Sequence, residues 1–273
     1  MIRLAAASLA VAVVLGAAPA AGLEQPGLHA KATVRALASL GPRVAGSATE
    51  RRADAFVAGR FRAIGLEPVL QDFPLPRGGL SHNVVARTGG GPLRAIVVAH
   101  LDGVSAGPAA NDNGSGVGAV LELAKELKGR PGILLAALGA EERVMTGSKL
   151  HLGSARLVRG LSGADRQSVR VALSLDMVGY GPRLNVRGLE HSPNRSARAA
   201  LAAGRRLGLP STYLPDTGQS DHVELTRGGI PAAWLEWRWD PCWHSDCDRA
   251  DRLRPDKLAA AIRLALETVR AST

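Results

Sequence analysis

The chain has 273 residues, with 34 Lys and Arg against 24 Asp and Glu, a formal charge of +10. Hydrophobic residues make up 46% and charged residues 21%, which excludes a disordered tail or a low-complexity filament. The arginines are spread along the whole chain and no basic block is interleaved with aromatics, so no nucleic-acid partner is expected.

The first twenty residues read as an export signal. Met1-Ile2-Arg3 is a short positive start, and Leu4 to Ala18 is almost wholly apolar. Ala18-Pro19-Ala20 then puts small residues where a signal peptidase reads. The run is shorter than the ~20 residues of a bilayer-spanning helix, and no second long apolar run follows. Residues 21–273 are therefore expected as one secreted or periplasmic unit with no membrane segment. An oxidising destination makes the only two cysteines, Cys242 and Cys247, candidates for a bond to each other.

Helix and strand alternate along the mature chain, which predicts an α/β fold. Glu50 to Ile64 carries Ala53, Phe56, Val57, Phe61 and Ile64 at helical spacing and ends at Gly65. Glu67–Phe73 and His82–Arg87 are predicted strands, separated by the turn-rich 74–79 stretch. Ala95–Ala99, Ile133–Leu138, Val171–Leu175 and Ala232–Leu235 are short uninterrupted apolar runs, as expected of strands covered on both faces. Val117–Leu127 and Leu258–Val269 are predicted helices, the second with Pro255 near its first turn. No repeat and no long linker divides the chain, so a single domain is expected.

Three of the buried strands run directly into residues suited to metal. Ala95–Ala99 delivers His100 and Asp102, Ile133–Leu138 delivers Glu141 and Glu142, and Val171–Leu175 delivers Asp176. The carboxyl ends of strands in an open α/β sheet form the ligand crevice. Charged groups placed there are costly unless they are paired or bind an ion. Asp112, in Ala110-Asn111-Asp112-Asn113-Gly114-Ser115-Gly116, and His244 supply two further donors from loops. Singly, each has an ordinary reading: Asp112 as a helix cap, Glu141-Glu142 as a solvated helix start. Their recurrence in the order His, Asp, Glu, Asp, His points to cations.

The segments VVAHLDG, AANDNGSG, LGAEE, LSLDMVGY and WDPCWHSDCDRADRL resemble those of the secreted bacterial double-zinc aminopeptidases. The resemblance spans nearly all of the mature chain, from about Gly41. It implies a three-layer α/β/α domain with a central mixed, mainly parallel sheet. It also implies two zinc ions, peptide substrates with a free N-terminus, and a monomer. Carried over residue by residue, His100 and Asp176 hold one zinc, Glu142 and His244 the other, and Asp112 bridges them. Glu141 is then the general base and Asp102 the carboxylate that orients His100. Each zinc keeps a position open for water. In the family the substrate amine is held at the metals, which restricts cleavage to the terminal residue.

Two positions depart from that pattern. Trp243 stands where the aminopeptidases commonly have an oxyanion-steadying tyrosine; an indole N–H is also a donor. Glutaminyl-peptide cyclases, a single-zinc sister branch that forms N-terminal pyroglutamate, carry Trp there as well, which makes cyclisation the alternative activity. Gln219 stands where related enzymes can have arginine, with consequences for anchoring the substrate. Asp221 is expected to border the pocket in a supporting role, with Tyr180 in its wall beside segments around Met145 and Val223. His29, His82, His151 and His191 lie outside any motif and read as surface or loop histidines. A Cys242–Cys247 bond would fix where His244 points; the alternative, a thiol metal site, lacks partner cysteines.

Overall fold

In the computed structural model, residues 21–273 are described; the expected export signal, residues 1–20, lies outside the described residues. The chain opens with helices α1 (Ala21–Ala38) and α2 (Ala48–Ile64), then strands β1 (Pro68–Pro74), β2 (Leu80–Thr88) and β3 (Ala95–His100). A π-helical turn, Ala110–Ser115, leads into α3 (Gly116–Leu127) and β4 (Ile133–Leu138). Short helices α4 (Arg143–Thr146), α5 (Leu152–Gly160) and α6 (Gly163–Ser168) precede β5 (Val171–Leu175) and β6 (Arg183–Gly188). The chain then forms α7 (Arg195–Leu207), β7 (Ser211–Pro215), α8 (His222–Arg227), β8 (Ala232–Arg238) and α9 (Pro255–Ser272).

The strands form one eight-stranded sheet in the order β1-β2-β4-β3-β5-β8-β6-β7. Its centre, β4-β3-β5-β8, is parallel; β1, β2 and the β8–β6 pairing are antiparallel. Every residue of β3, β4 and β5 is buried, as their unbroken apolar runs predict. Side chains alternate between two cores. Val97, Leu135 and Leu173 face α1, α3 and α9, while Ile96, Val98, Leu134 and Leu138 pack with Leu157, Val158 and Leu225 of α5 and α8. Helices on both faces of a mixed sheet give the three layers, in one α/β unit.

Helix α2 shows how local chemistry fixes an element. Ser47 Oγ accepts from the Glu50 N–H at 3.1 Å, and the Glu50 carboxylate reaches back to the Gly46 N–H at 2.5 Å, a capping box displaced by one residue. At the far end Gly65 takes φ 90°, a left-handed conformation that glycine adopts without strain. Strands β6 and β7 carry no unbroken apolar run (RLNVRG and STYLP), which is why periodicity does not announce them.

Candidate metal centre

The parallel strands carry their donors to one edge. His100 is the last residue of β3, Asp176 follows β5 directly, and Glu141 and Glu142 follow β4 within four residues. Asp112 enters from the turn before α3 and His244 from the loop after β8. All but His244 are at least nine-tenths buried, and the His244 side chain is 27% exposed. His100 Nε2 lies 3.1 Å from Asp112 Oδ1 and 3.5 Å from Asp176 Oδ1. His244 Nε2 lies 3.3 Å from Asp112 Oδ2 and 3.0 Å from Glu142 Oε2. Two compact triples emerge, His100 with Asp112 and Glu142, and His100 with Glu141 and Asp176, each with its donor atoms within 4.8 Å of one another.

The Asn-Asp-Asn sequence is a set of staples. Asn113 Nδ2 donates to the Leu175 carbonyl at 2.8 Å, and its Oδ1 accepts from Gly116 N at 2.8 Å. Asn111 Oδ1 accepts from Gly179 N at 2.9 Å, tying the turn to the segment after Asp176. Asp248 accepts from the backbone N–H of Asn111 and Asp112 at 2.7 and 3.0 Å. Asp240 joins both halves of the centre: it accepts from Asn111 Nδ2 at 2.9 Å and from Cys242 N at 2.9 Å. A methyl group at Gly116 would be driven into the Leu175 carbonyl, so no side chain fits there. Beneath the turn, the fully buried Arg43 donates to the carbonyls of Leu101, Pro108 and Ala109 at 2.7 to 2.8 Å. Burial lowers its pKa to about 10, against the pull of Asp102, Asp248 and Asp112.

Among the described residues, the non-glycine positions held at positive φ are Ala109 (53°), Ala140 (54°), Met177 (56°) and His244 (55°). Ala140 immediately precedes Glu141, Met177 follows Asp176, and His244 is itself a donor. Such conformations cost on the order of 1–3 kcal/mol each and persist where the surroundings over-determine them. Here they aim the donors.

The electrostatics fit a cation. Burial, then Asp112, pushes Glu142 up to about 7. Burial also drives Glu141 well above the usual carboxylate range; His100 opposes this, and Glu142, Asp221 and Asp176 add to it. Burial lowers His244, but hydrogen bonds to Asp112 and Glu142 outweigh it and bring the imidazole to about 10. His100 is likewise raised, its burial overcome by Glu141 and Asp176. Asp112 falls well below its ordinary value because His100 and His244 outweigh its own burial. Glu142 Oε1 and Asp176 Oδ1 are buried with no hydrogen-bond partner among the described residues. Buried, unpartnered carboxylate oxygens among imidazoles, with no thiolate, form a nitrogen-and-oxygen donor set that suits zinc and similar divalent ions.

A cavity of about 410 Å³ opens onto these donors. Arg143, Val144, Met177, Arg187 and Gln219 line it, together with all four tryptophans of the chain, Trp234, Trp237, Trp239 and Trp243. Trp243 stacks on His244 with ring centroids 4.1 Å apart and is 52% exposed. Gln219 Oε1 accepts from Arg187 Nη2 at 3.3 Å. Arg187, from β6, also pairs with Asp216 at 3.0 Å and Glu236 at 3.3 Å, and lies over the Trp234 ring. Cys242 and Cys247 are joined in a disulfide.

Several expectations are corrected. Tyr180 does not line the cavity; it packs against the core with Arg252 above its ring, because the chain turns away after Met177. Asp221 and Val223 are buried and do not line the cavity, whereas the segment around Met145 does line it, through Arg143 and Val144. Asp102 lies beside His100, but its carboxylate is 3.6 Å from Nδ1, whereas its carbonyl is at 3.2 Å. The carboxylate also accepts from the Glu141 and Glu142 N–H groups at 2.9 and 3.1 Å, and it adds to the rise in the His100 pKa, as expected of a carboxylate beside that imidazole. His151 is buried against Glu141, not at the surface, and His82 is half-buried against Asp54 at 3.1 Å. Neither Arg187 nor Glu236 belongs to a motif: Arg187 sits in β6, which has no apolar run, and Glu236 directly follows the apolar run of β8.

The chain matches the model of peptidase family M28 over residues 83–269. It is 33% identical over 183 residues to Aminopeptidase YwaD of Bacillus subtilis, an alignment covering 62% of this chain and 39% of that relative's length. Among solved structures, BSAP, a zinc aminopeptidase from Bacillus subtilis, superposes with a TM-score of 0.82 at 20% identity, covering 90% of this chain and 94% of that one. The glutaminyl cyclase of Bacteroides thetaiotaomicron bound to N-acetylhistamine gives 0.79 at 22% identity, covering 90% and 98%.

Proposed function

The chain belongs to peptidase family M28, and from that premise we propose that it is an exported zinc aminopeptidase, removing N-terminal residues from peptides with a free amino terminus. The observation that carries this reading is the Asp112 carboxylate, with one oxygen turned to His100 and the other to His244. A donor set divided by a shared carboxylate suits two ions, His100 and Asp176 holding one, Glu142 and His244 the other, Asp112 both. Zinc bound there supplies Lewis acidity, acidifying a water and polarising a carbonyl. The exported unit is residues 21–273, acting as a monomer, with residues 1–20 as its signal.

Glu141 stands beside both donor sets and is left free by this assignment. It takes one proton from the attacking water as the water oxygen bonds to the scissile carbonyl carbon. It returns that proton to the leaving nitrogen as the C–N bond breaks. Its burial favours a group that must hold a proton between the two transfers. Asp102 acts through the backbone, holding the Glu141 and Glu142 N–H groups so that both side chains face the cavity. The Trp243 indole N–H, at the cavity wall beside His244, is the donor assigned to the developing oxyanion. Gln219, held by Arg187, contributes the substrate-facing wall, and Asp221 supports Glu141 from behind.

A second reading, cyclisation of N-terminal glutamine with one zinc, is favoured by Trp243 preceding His244. The experiment sets aminoacyl-nitroanilides beside glutaminyl peptides, with and without a chelator. Amine release that stops on chelation and returns with zinc supports hydrolysis. Ammonia release from glutaminyl peptides alone transfers the function to the cyclase reading.

A further inference from the structure

His151 is 1% exposed, and the proposed reaction gives it no role. It immediately precedes α5, where its side chain caps nothing. Its Nε2 lies 3.3 Å from Glu141 Oε1, and its Nδ1 lies 3.8 Å from Glu224 Oε1. Glu224, in α8, is itself held by Arg227 at 2.9 Å. Behind the imidazole the Asp221 carboxylate is fully buried, and neither of its oxygens makes a hydrogen bond among the described residues. Neither ring nitrogen of His151 completes a well-aligned hydrogen bond. Leaving a buried imidazole in that condition is unfavourable. An apolar residue would fill this place without that cost.

The backbone joins the same two segments. Leu152 N donates to the Ala140 carbonyl at 3.0 Å, and Ala140 is the left-handed residue that turns the chain into Glu141. The His151 segment therefore reaches Glu141 twice, through the main chain at its entry and through the side chain at its carboxylate. A carboxylate base works efficiently only when one oxygen is held toward the reacting water, and small losses of such orientation are expensive in rate.

We propose that His151 is a positioning residue for Glu141: its Nε2–H engages Glu141 Oε1 and leaves Oε2 directed at the cavity. Glu224, pinned by Arg227, limits how far the ring can swing away. The proposal rests on the reading of Glu141 as the base, and its test separates the two.

The variants are H151Q, whose amide nitrogen reaches the place of Nε2, and H151L, which fills the volume without a donor. H151L is expected to lose about ten- to a hundred-fold in kcat on aminoacyl substrates, with KM and zinc content unchanged, and H151Q to recover most of that loss. Wild-type kcat in H151L, or loss in both variants in proportion to lost zinc, overturns the proposal. Nitrogen NMR of the ¹⁵N-histidine-labelled chain reads the contact without turnover. The proton is expected on His151 Nε2, with a resonance displaced in E141Q; a bare Nε2, or one indifferent to E141Q, also overturns it. If the wild-type chain shows no zinc-dependent peptidase activity, the reading of Glu141 fails while the NMR result still stands on its own.

Discussion

Asp112 faces two imidazoles at once: its Oδ1 lies 3.1 Å from His100 Nε2 and its Oδ2 3.3 Å from His244 Nε2. The two histidines arrive from β3 and from the loop after β8, 144 residues apart in sequence. Asp112 is therefore the group through which the two halves of the centre meet. Asp112→Asn weakens one oxygen as a ligand to both sides. Zinc content by elemental analysis is expected to fall from two ions per chain to one or none, with activity down more than about a hundred-fold. Two tightly held ions in this variant would argue against a shared ligand.

Glu141→Gln keeps the shape of the side chain and removes its basicity. The variant is expected to retain zinc and melting temperature while turnover falls by about 10²–10⁴. Wild-type turnover would remove Glu141 from its role.

Metal binding competes with protons. In the cation-free centre His244 holds its proton up to about pH 10 and Glu142 up to about pH 7. Zinc ligands must be deprotonated, so binding at neutral pH displaces the His244 proton, and acidification through 7 adds one at Glu142. Apparent affinity is expected to fall steadily from pH 8 to pH 5.5. Titration calorimetry in buffers of different ionisation enthalpy should show proton release. Affinity independent of pH would contradict the assignment of these two donors.

The disulfide closes a loop of six residues around His244. In the chain-entropy model it is worth about 2 kcal/mol. Replacing both cysteines with serine is expected to lower the melting temperature by roughly 4–8 °C. It should also weaken the ion held by His244 more than the one held by Asp176. Equal weakening of both ions would show that the bond stabilises the fold without aiming His244.

Glu50, fully buried against Ser81 and the Gly46 N–H, is pushed up to about 8 by burial and by Asp102. Between its ordinary value near 4.5 and about 8, the folded chain holds a proton that the unfolded chain has lost. That contribution to stability is complete at low pH and is lost as pH rises through this window. The chelated wild-type chain should thus lose more stability between pH 5 and pH 8 than Glu50→Gln does. Parallel denaturant midpoints for the two would contradict the assignment.

Much of the site was legible because its strands are so apolar. Runs such as Ala95–Ala99 and Val171–Leu175 have one reading as covered strands, and the charged residues that end them are then conspicuous. The runs predicted at 133–138 and 171–175 coincide with β4 and β5. Strands β6 and β7 mix polar and apolar residues without a clear period, so they and Arg187 stayed hidden. His151 reads as a surface or loop histidine because it lies outside any motif; only the packing of the fold buries it beside Glu141. Tyr180 was misplaced for a related reason. It is five residues past the end of β5, but the turn held by Asn111 at Gly179 sends it away from the cavity.

The most direct measurement is anomalous diffraction at the zinc edge from crystals of the unchelated chain. Two peaks are predicted, one beside each oxygen of Asp112 at about 2.0–2.2 Å, the first shared with His100 and Asp176 and the second with Glu142 and His244. A single peak, or none after zinc is supplied, would contradict the paired-ion centre.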